Sequence, residues 1–112
     1  MSGRQTYLGE FEQVVLLAVL RLKADAYGAA IRREIEARGG RAVTIGAAYA
    51  TLERLVSKGY LRSRDVPGGP ERSGALRRFF SVTPRGVKAL EEARELQARM
   101  WHGIELRKGK RA

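Results

Sequence analysis

The residues of this sequence best suited to chemistry are its arginines. Arg72, Arg77 and Arg78 crowd around a glycine- and proline-rich stretch, PGGPERSGAL, and Arg32 and Arg33 stand side by side earlier in the chain. Arg54 follows a group of small residues, Gly46, Ala47 and Ala50, with Tyr49 among them and Thr44 just ahead. A guanidinium binds phosphate and can pair with guanine through two parallel hydrogen bonds, while small side chains let a backbone approach an anion closely. Catalysis has no comparable set. The sole histidine, His102, lies near the C-terminal end, cysteine is absent, and the carboxylates are scattered, so no catalytic residue, metal cluster or cofactor is expected.

The charge balance agrees with a polyanionic partner. The 112 residues carry 22 basic and 12 acidic side chains, a net charge of +10. Residues 1–40 hold 6 basic and 5 acidic groups, residues 41–83 hold 8 and 3, and residues 84–112 hold 8 and 4. The middle of the chain is the most unbalanced, which suits a surface facing nucleic acid; a solvated basic face is the plainer alternative. The longest apolar run, Val14 to Leu20, is far short of the roughly 20 residues of a membrane span, and the first residues lack the pattern of a signal peptide, so a cytoplasmic protein with no membrane partner is expected.

The elements that must position these residues follow from periodicity. Leu8, Phe11, Val15, Ala18, Val19 and Leu22 form one stripe of a helix, and Val14, Leu16, Leu17 and Leu20 fall outside it, which predicts a helix buried on several sides. After the break KADAYG, with Asp25 a candidate N-cap, a second helix runs from Ala26 or Tyr27 to Arg38 and is stopped by Gly39 and Gly40. Thr44 caps a third helix, Ile45 to Lys58, with Ala48, Leu52, Leu55 and Val56 inward. Tyr60 to Val66 and Arg77 to Thr83 read as strands of a hairpin, and Pro84 opens a last helix reaching about Lys108, roughly 36 Å long.

This order predicts a mainly α fold with a small β hairpin, a winged helix-turn-helix plus a long C-terminal dimerisation helix. Residues 1–83 form the expected DNA-binding domain, including the N-terminal helix, and residues 84–112 the dimerisation helix and a basic tail. The third helix would enter the major groove with Thr44, Gly46, Ala47, Tyr49, Ala50 and Arg54 outward. Of these only Arg54 is a strong base reader, so base-by-base readout should be modest. Tyr49 is read either as a phosphate donor or as an aromatic lying against the hairpin. Arg72, Arg77 and Arg78 would serve the wing, with Arg32 and Arg33 on its flank.

On the last helix Val87, Leu90, Ala93, Met100, Trp101 and Ile104 form an apolar face broader than one small domain can cover. Together with Phe11 and Val15 they are the expected homodimer interface. Trp101 is also a candidate contact for a flat aromatic ligand, although an aromatic on such a face is commonly interface core.

Three stretches resemble the PadR family of transcriptional regulators. TIGAAYATLERLVSKGYL resembles its recognition helix, RRFFSVTPRGVKAL its aromatic pair leading into T-x-x-G, and DAYGAAIRREIE the segment whose Y-G pair opens the second helix. The likeness covers Leu8 to Leu90. It implies a homodimeric repressor of its own or neighbouring genes, of the efflux or detoxification kind, which binds a palindromic operator of double-stranded DNA and is released by a small hydrophobic or aromatic effector. Tyr49 matches the family's recognition-helix tyrosine, and Phe79 and Phe80 its aromatic pair. The sequence departs in having Ala50 where the family often has proline, and in a short C-terminal region. A winged-helix adaptor for another protein and a nonspecific nucleic-acid binder are the competing readings.

Overall fold

The computed structural model describes residues 7–70 and 73–106. Helix α1 spans Glu10–Leu22. Its first turn closes on itself, since the Glu12 carboxylate accepts the Gly9 N–H at 2.8 Å. A single 3-10 turn, Lys23–Asp25, follows. Asp25 lies in that turn and does not cap the second helix. Ala26 and Tyr27 are instead held extended by the sheet: the Ala26 carbonyl accepts the Phe80 N–H at 2.8 Å, and Tyr27 forms an antiparallel bridge with Phe79. Tyr27 is therefore the N-cap, and α2 starts at Gly28 and runs to Gly39.

Gly40, with φ of +67°, ends α2 by returning its N–H to the Glu36 carbonyl. The Glu36 carboxylate also accepts the Val43 N–H at 3.1 Å, which pins the turn into the next helix. Helix α3, Ile45–Ser57, is capped as expected: Thr44 Oγ1 accepts the Ala47 N–H at 3.0 Å.

Strands β1, Leu61–Pro67, and β2, Leu76–Val82, form a two-stranded antiparallel sheet with Leu61 opposite Val82, Arg64 opposite Phe79 and Pro67 opposite Leu76. Helix α4, Pro84–Trp101, is joined to the sheet by Thr83, whose hydroxyl donates to the Gly59 carbonyl (2.7 Å) and accepts the Gly86 N–H (3.1 Å). A Cβ at position 86 would lie 2.3 Å from the Tyr60 carbonyl oxygen, so only glycine lets α4 start this close to the hairpin.

Two further sequence expectations are corrected. Helix α4 stops at Trp101, a length of about 27 Å, rather than reaching Lys108. The cause is Gly103, which adopts φ of +84° immediately after His102 and turns the chain out of the helix. The second correction concerns α1. Val15 is fully buried in the molecule's own core and is not available to a second subunit.

That core gathers Val15, Leu16, Ala18 and Val19 of α1 with Ile31 and Ile35 of α2, Leu52 and Leu55 of α3, and Leu61 and Phe80 of the sheet. Each large apolar side chain among them contributes about 1.5–3 kcal/mol on leaving water, so the helices and hairpin are one packing unit. Phe11 and Leu90 lean on this core from its edge. Leu17 and Leu20, the other side of α1, remain exposed.

Candidate nucleic-acid interface

The outward face of α3 is built from its first two turns. Thr44, Gly46, Ala47, Tyr49 and Ala50 are all exposed, and so is Ile45, an apolar residue that the expected set of outward positions omits. The result is a shallow surface of small side chains at a helix start, where unpaired backbone N–H groups and the helix dipole favour an anion.

Tyr49 packs against the start of α2, within electrostatic reach of Arg78 on the hairpin. Its ring sits over Gly28 at the start of α2, so close that a Cβ on Gly28 would fall 2.2 Å from the Tyr49 hydroxyl oxygen and 2.3 Å from Cζ. The Y-G pair thus has a structural meaning: glycine makes the seat for the tyrosine of α3, and Tyr27 stands beside it.

Arg54 is on the expected side of α3, but its guanidinium is held. It meets Glu12 Oε2 at 3.3 Å and donates to Thr51 Oγ1 at 3.1 Å. Lys58 approaches the same Glu12 oxygen at 2.7 Å. Glu12 is only 6% exposed. Burial alone would raise its pKa, but hydrogen bonds from Lys58, the Gly9 N–H and Arg54 outweigh that effect and hold the carboxyl below its ordinary range.

The hairpin sorts its arginines by the pleat. Arg78 turns toward α3 and makes a two-pronged ion pair with Glu53. Hydrogen bonding to Arg78 lowers the Glu53 pKa, and the same contact raises that of Arg78. Arg77, one residue away, points to the other face and stacks on Tyr27 with its Cζ 4.0 Å from the ring centroid. Arg64, opposite Phe79 in the register, lies over that ring at 5.4 Å, and Arg62 follows on the same face of β1. Arg33 of α2 donates to the Tyr27 hydroxyl at 3.1 Å.

The basic residues expected around the wing therefore divide. Arg33 and Arg77 belong to this outer face and have no carboxylate within ion-pair distance among the described residues. Arg78 is neutralised by Glu53, and Arg32 is drawn to Glu36 at 3.2 Å with its Nε buried. Arg72 lies outside the described residues. Sequence reasoning missed Arg62, Arg64 and Tyr27. The alternation of β1 could have indicated the two arginines once Phe79 was known to stand opposite.

On α4 and just beyond it, Met100, Trp101 and Ile104 are 68%, 52% and 56% exposed, and Leu96 and Val87 are exposed with them. Ala93 is half-buried. No helix among the described residues is long and apolar enough to cross a membrane, and no group of three or more metal-ligating side chains occurs among them.

Comparison with known proteins supports this architecture. The model of the transcriptional regulator PadR-like family matches residues 16–92. A PadR family transcriptional regulator from Eggerthella lenta is 26% identical, with a TM-score of 0.66 over 84% of this chain and 81% of its own. A complex structure of hsRosR-S4 is also 26% identical, with a TM-score of 0.68 over 88% of this chain and 77% of its own. A transcriptional regulator from Clostridium thermocellum shares the fold at 20% identity, with a TM-score of 0.66 over 80% and 84%. No curated protein matches the chain. The family match spans both helices of the helix-turn-helix, the hairpin and the start of α4, and on it the chain belongs to the PadR-like family of DNA-binding transcriptional regulators, which are not enzymes.

Proposed function

We propose that this chain is a homodimeric repressor that binds a palindromic operator in its own or a neighbouring promoter, with α3 in the major groove and the hairpin as the wing. The observation that carries the reading is the exposed start of α3, free of bulky and acidic side chains apart from Tyr49 and Ile45, near a face of arginines that have no counter-charge among the described residues. Thr44, Gly46, Ala47, Tyr49 and Ala50 meet the groove, Ile45 offers an apolar contact to thymine methyl groups, and specificity rests on shape and half-site spacing more than on base reading. Residues 1–83 act as the DNA-binding unit and residues 84–112 as the dimerisation segment, in the cytoplasm.

Support for the dimer comes from the uncovered stripe of Leu96, Met100, Trp101 and Ile104, together with Leu17 and Leu20 of α1. A groove of about 430 Å³ beside Leu17 and Leu20, walled by Ile35 and Arg38 of α2, continues the apolar surface of α1. A flat aromatic effector would reach Trp101 on the α4 stripe and release the operator, relieving repression of efflux or detoxification genes.

Gel shifts with the gene's own promoter and a shuffled duplex, at two salt concentrations, test the reading. Selective binding to the promoter is expected. Equal binding to both duplexes would make the protein a nonspecific binder, and no binding would make it an adaptor. Sedimentation should show a dimer, and Trp101 fluorescence should change saturably with planar cationic or phenolic compounds.

A further inference from the structure

Tyr27 and Phe79 meet edge to face, with centroids 5.5 Å apart and planes at 68°. Around this pair stand three guanidiniums: Arg77 at 4.0 Å and Arg33 at 5.9 Å from the Tyr27 centroid, and Arg64 at 5.4 Å from that of Phe79. The three come from α2, β1 and β2, and the aromatic pair is the point at which they converge. None has a carboxylate within ion-pair distance among the described residues, whereas Arg21, Arg32, Arg38, Arg41, Arg54 and Arg78 each have one.

Three like charges gathered with no counter-ion among the described residues repel one another, and the ring faces offset only part of that repulsion. An external anion offsets the rest. The cluster borders α3 at one point, because Tyr27 adjoins Gly28, the seat of Tyr49. A duplex engaged by α3 would thus run its backbone past this cluster.

We propose that Tyr27 and Phe79 form an aromatic platform that holds Arg33, Arg64 and Arg77 extended against the phosphates flanking the groove occupied by α3. This rests on the DNA-binding reading above and assigns to Tyr27, Phe79 and Arg64 a part in it. The rings limit where the guanidiniums can go, so less side-chain freedom is given up on binding, and the three positive charges displace condensed counter-ions from the duplex.

The test measures affinity against salt for a labelled duplex from the gene's own promoter, using the full-length protein. Replacing Arg33, Arg64 and Arg77 together by glutamine should reduce the slope of log affinity against log salt by about 0.9 for each phosphate no longer neutralised, with no change in melting temperature. Lys88→Gln on α4 should leave the slope unaltered. Tyr27→Leu, which keeps every charge, should weaken binding roughly threefold, and Tyr27→Phe, which keeps the ring, should bind nearly as the wild type does. An unchanged slope in the triple variant, while the wild type binds, overturns the platform and leaves the operator reading standing. Failure of the wild type to bind any duplex removes the operator reading itself.

Discussion

Helix α3 and the outer face of the hairpin meet through Tyr27 and Gly28, yet they treat charge in opposite ways. On α3 the ionic side chains are satisfied inside the molecule, Glu53 by Arg78 and Arg54 by Glu12. On the hairpin Arg64 and Arg77 are supported by rings and have no counter-charge among the described residues. An ion pair fixes a side chain and cancels its field, whereas an aromatic face fixes it and leaves the field in place. On the proposed reading, the element that would enter the groove is nearly neutral, and the element beside it would supply the attraction. Affinity and selectivity then reside in different residues and can be separated by mutation.

The largest effect should come from reversing the hairpin's field. Changing Arg33, Arg64 and Arg77 together to glutamate should lower operator affinity on the order of a hundredfold at physiological salt, measured by fluorescence anisotropy, with the fold retained by circular dichroism.

Next comes the anchor of α3. Glu12→Ala leaves Lys58 and Arg54 without their shared carboxylate, and thermal unfolding should show a destabilisation on the order of 2 kcal/mol. The pH dependence follows from the direction of the shift. A carboxyl whose folded pKa is depressed contributes stability that is fully present above its unfolded pKa and is lost as pH falls through the folded value. Stability of the wild type should therefore hold from neutral pH down to the ordinary carboxylate range and decline below it, and Glu12→Gln should flatten part of that decline.

A smaller effect sharpens the contrast from the other side. Glu53→Gln frees Arg78 and removes a negative charge from α3, so affinity should rise roughly threefold and the salt slope steepen by about 0.9, with stability little changed because solvent reaches both partners. Smallest of all, Gly28→Ala should displace the Tyr49 ring and weaken binding about twofold, visible as a change in the tyrosine's solvent accessibility; an unaltered ring would show that the seat is dispensable.

What the sequence disclosed depended on how local the cause was. Thr44 and Thr83 were readable as caps because a hydroxyl before a helix start acts within three residues. The hairpin was readable from alternation and from the glycines and prolines between its strands. The end of α4 was overrun because the apolar stripe through Met100, Trp101 and Ile104 masked the stop at Gly103. Asp25 lost its expected role to a sheet contact that ties Ala26 and Tyr27 to Phe80 and Phe79, far along the chain. For α1, the stripe through Phe11, Val15, Ala18 and Val19 is the face that packs in the core, and what the pattern could not say was which apolar residues would be left for a second subunit. Least legible was the division of the arginines. The partner of Arg54 is 42 residues distant and that of Arg78 is 25 distant, and no local signal marks either pairing.

The pleat of the hairpin bears on how such a regulator can be altered. Positions 62, 64 and 77 share one side of the ribbon, and positions 61, 78, 80 and 82 share the other, so neighbouring letters of the sequence answer to different demands. On the proposed reading, substitutions of the first set would change how strongly the protein holds a duplex, with little effect on whether it folds. Grip on DNA can therefore drift or be engineered step by step at alternate positions, while the interleaved residues keep the wing in place.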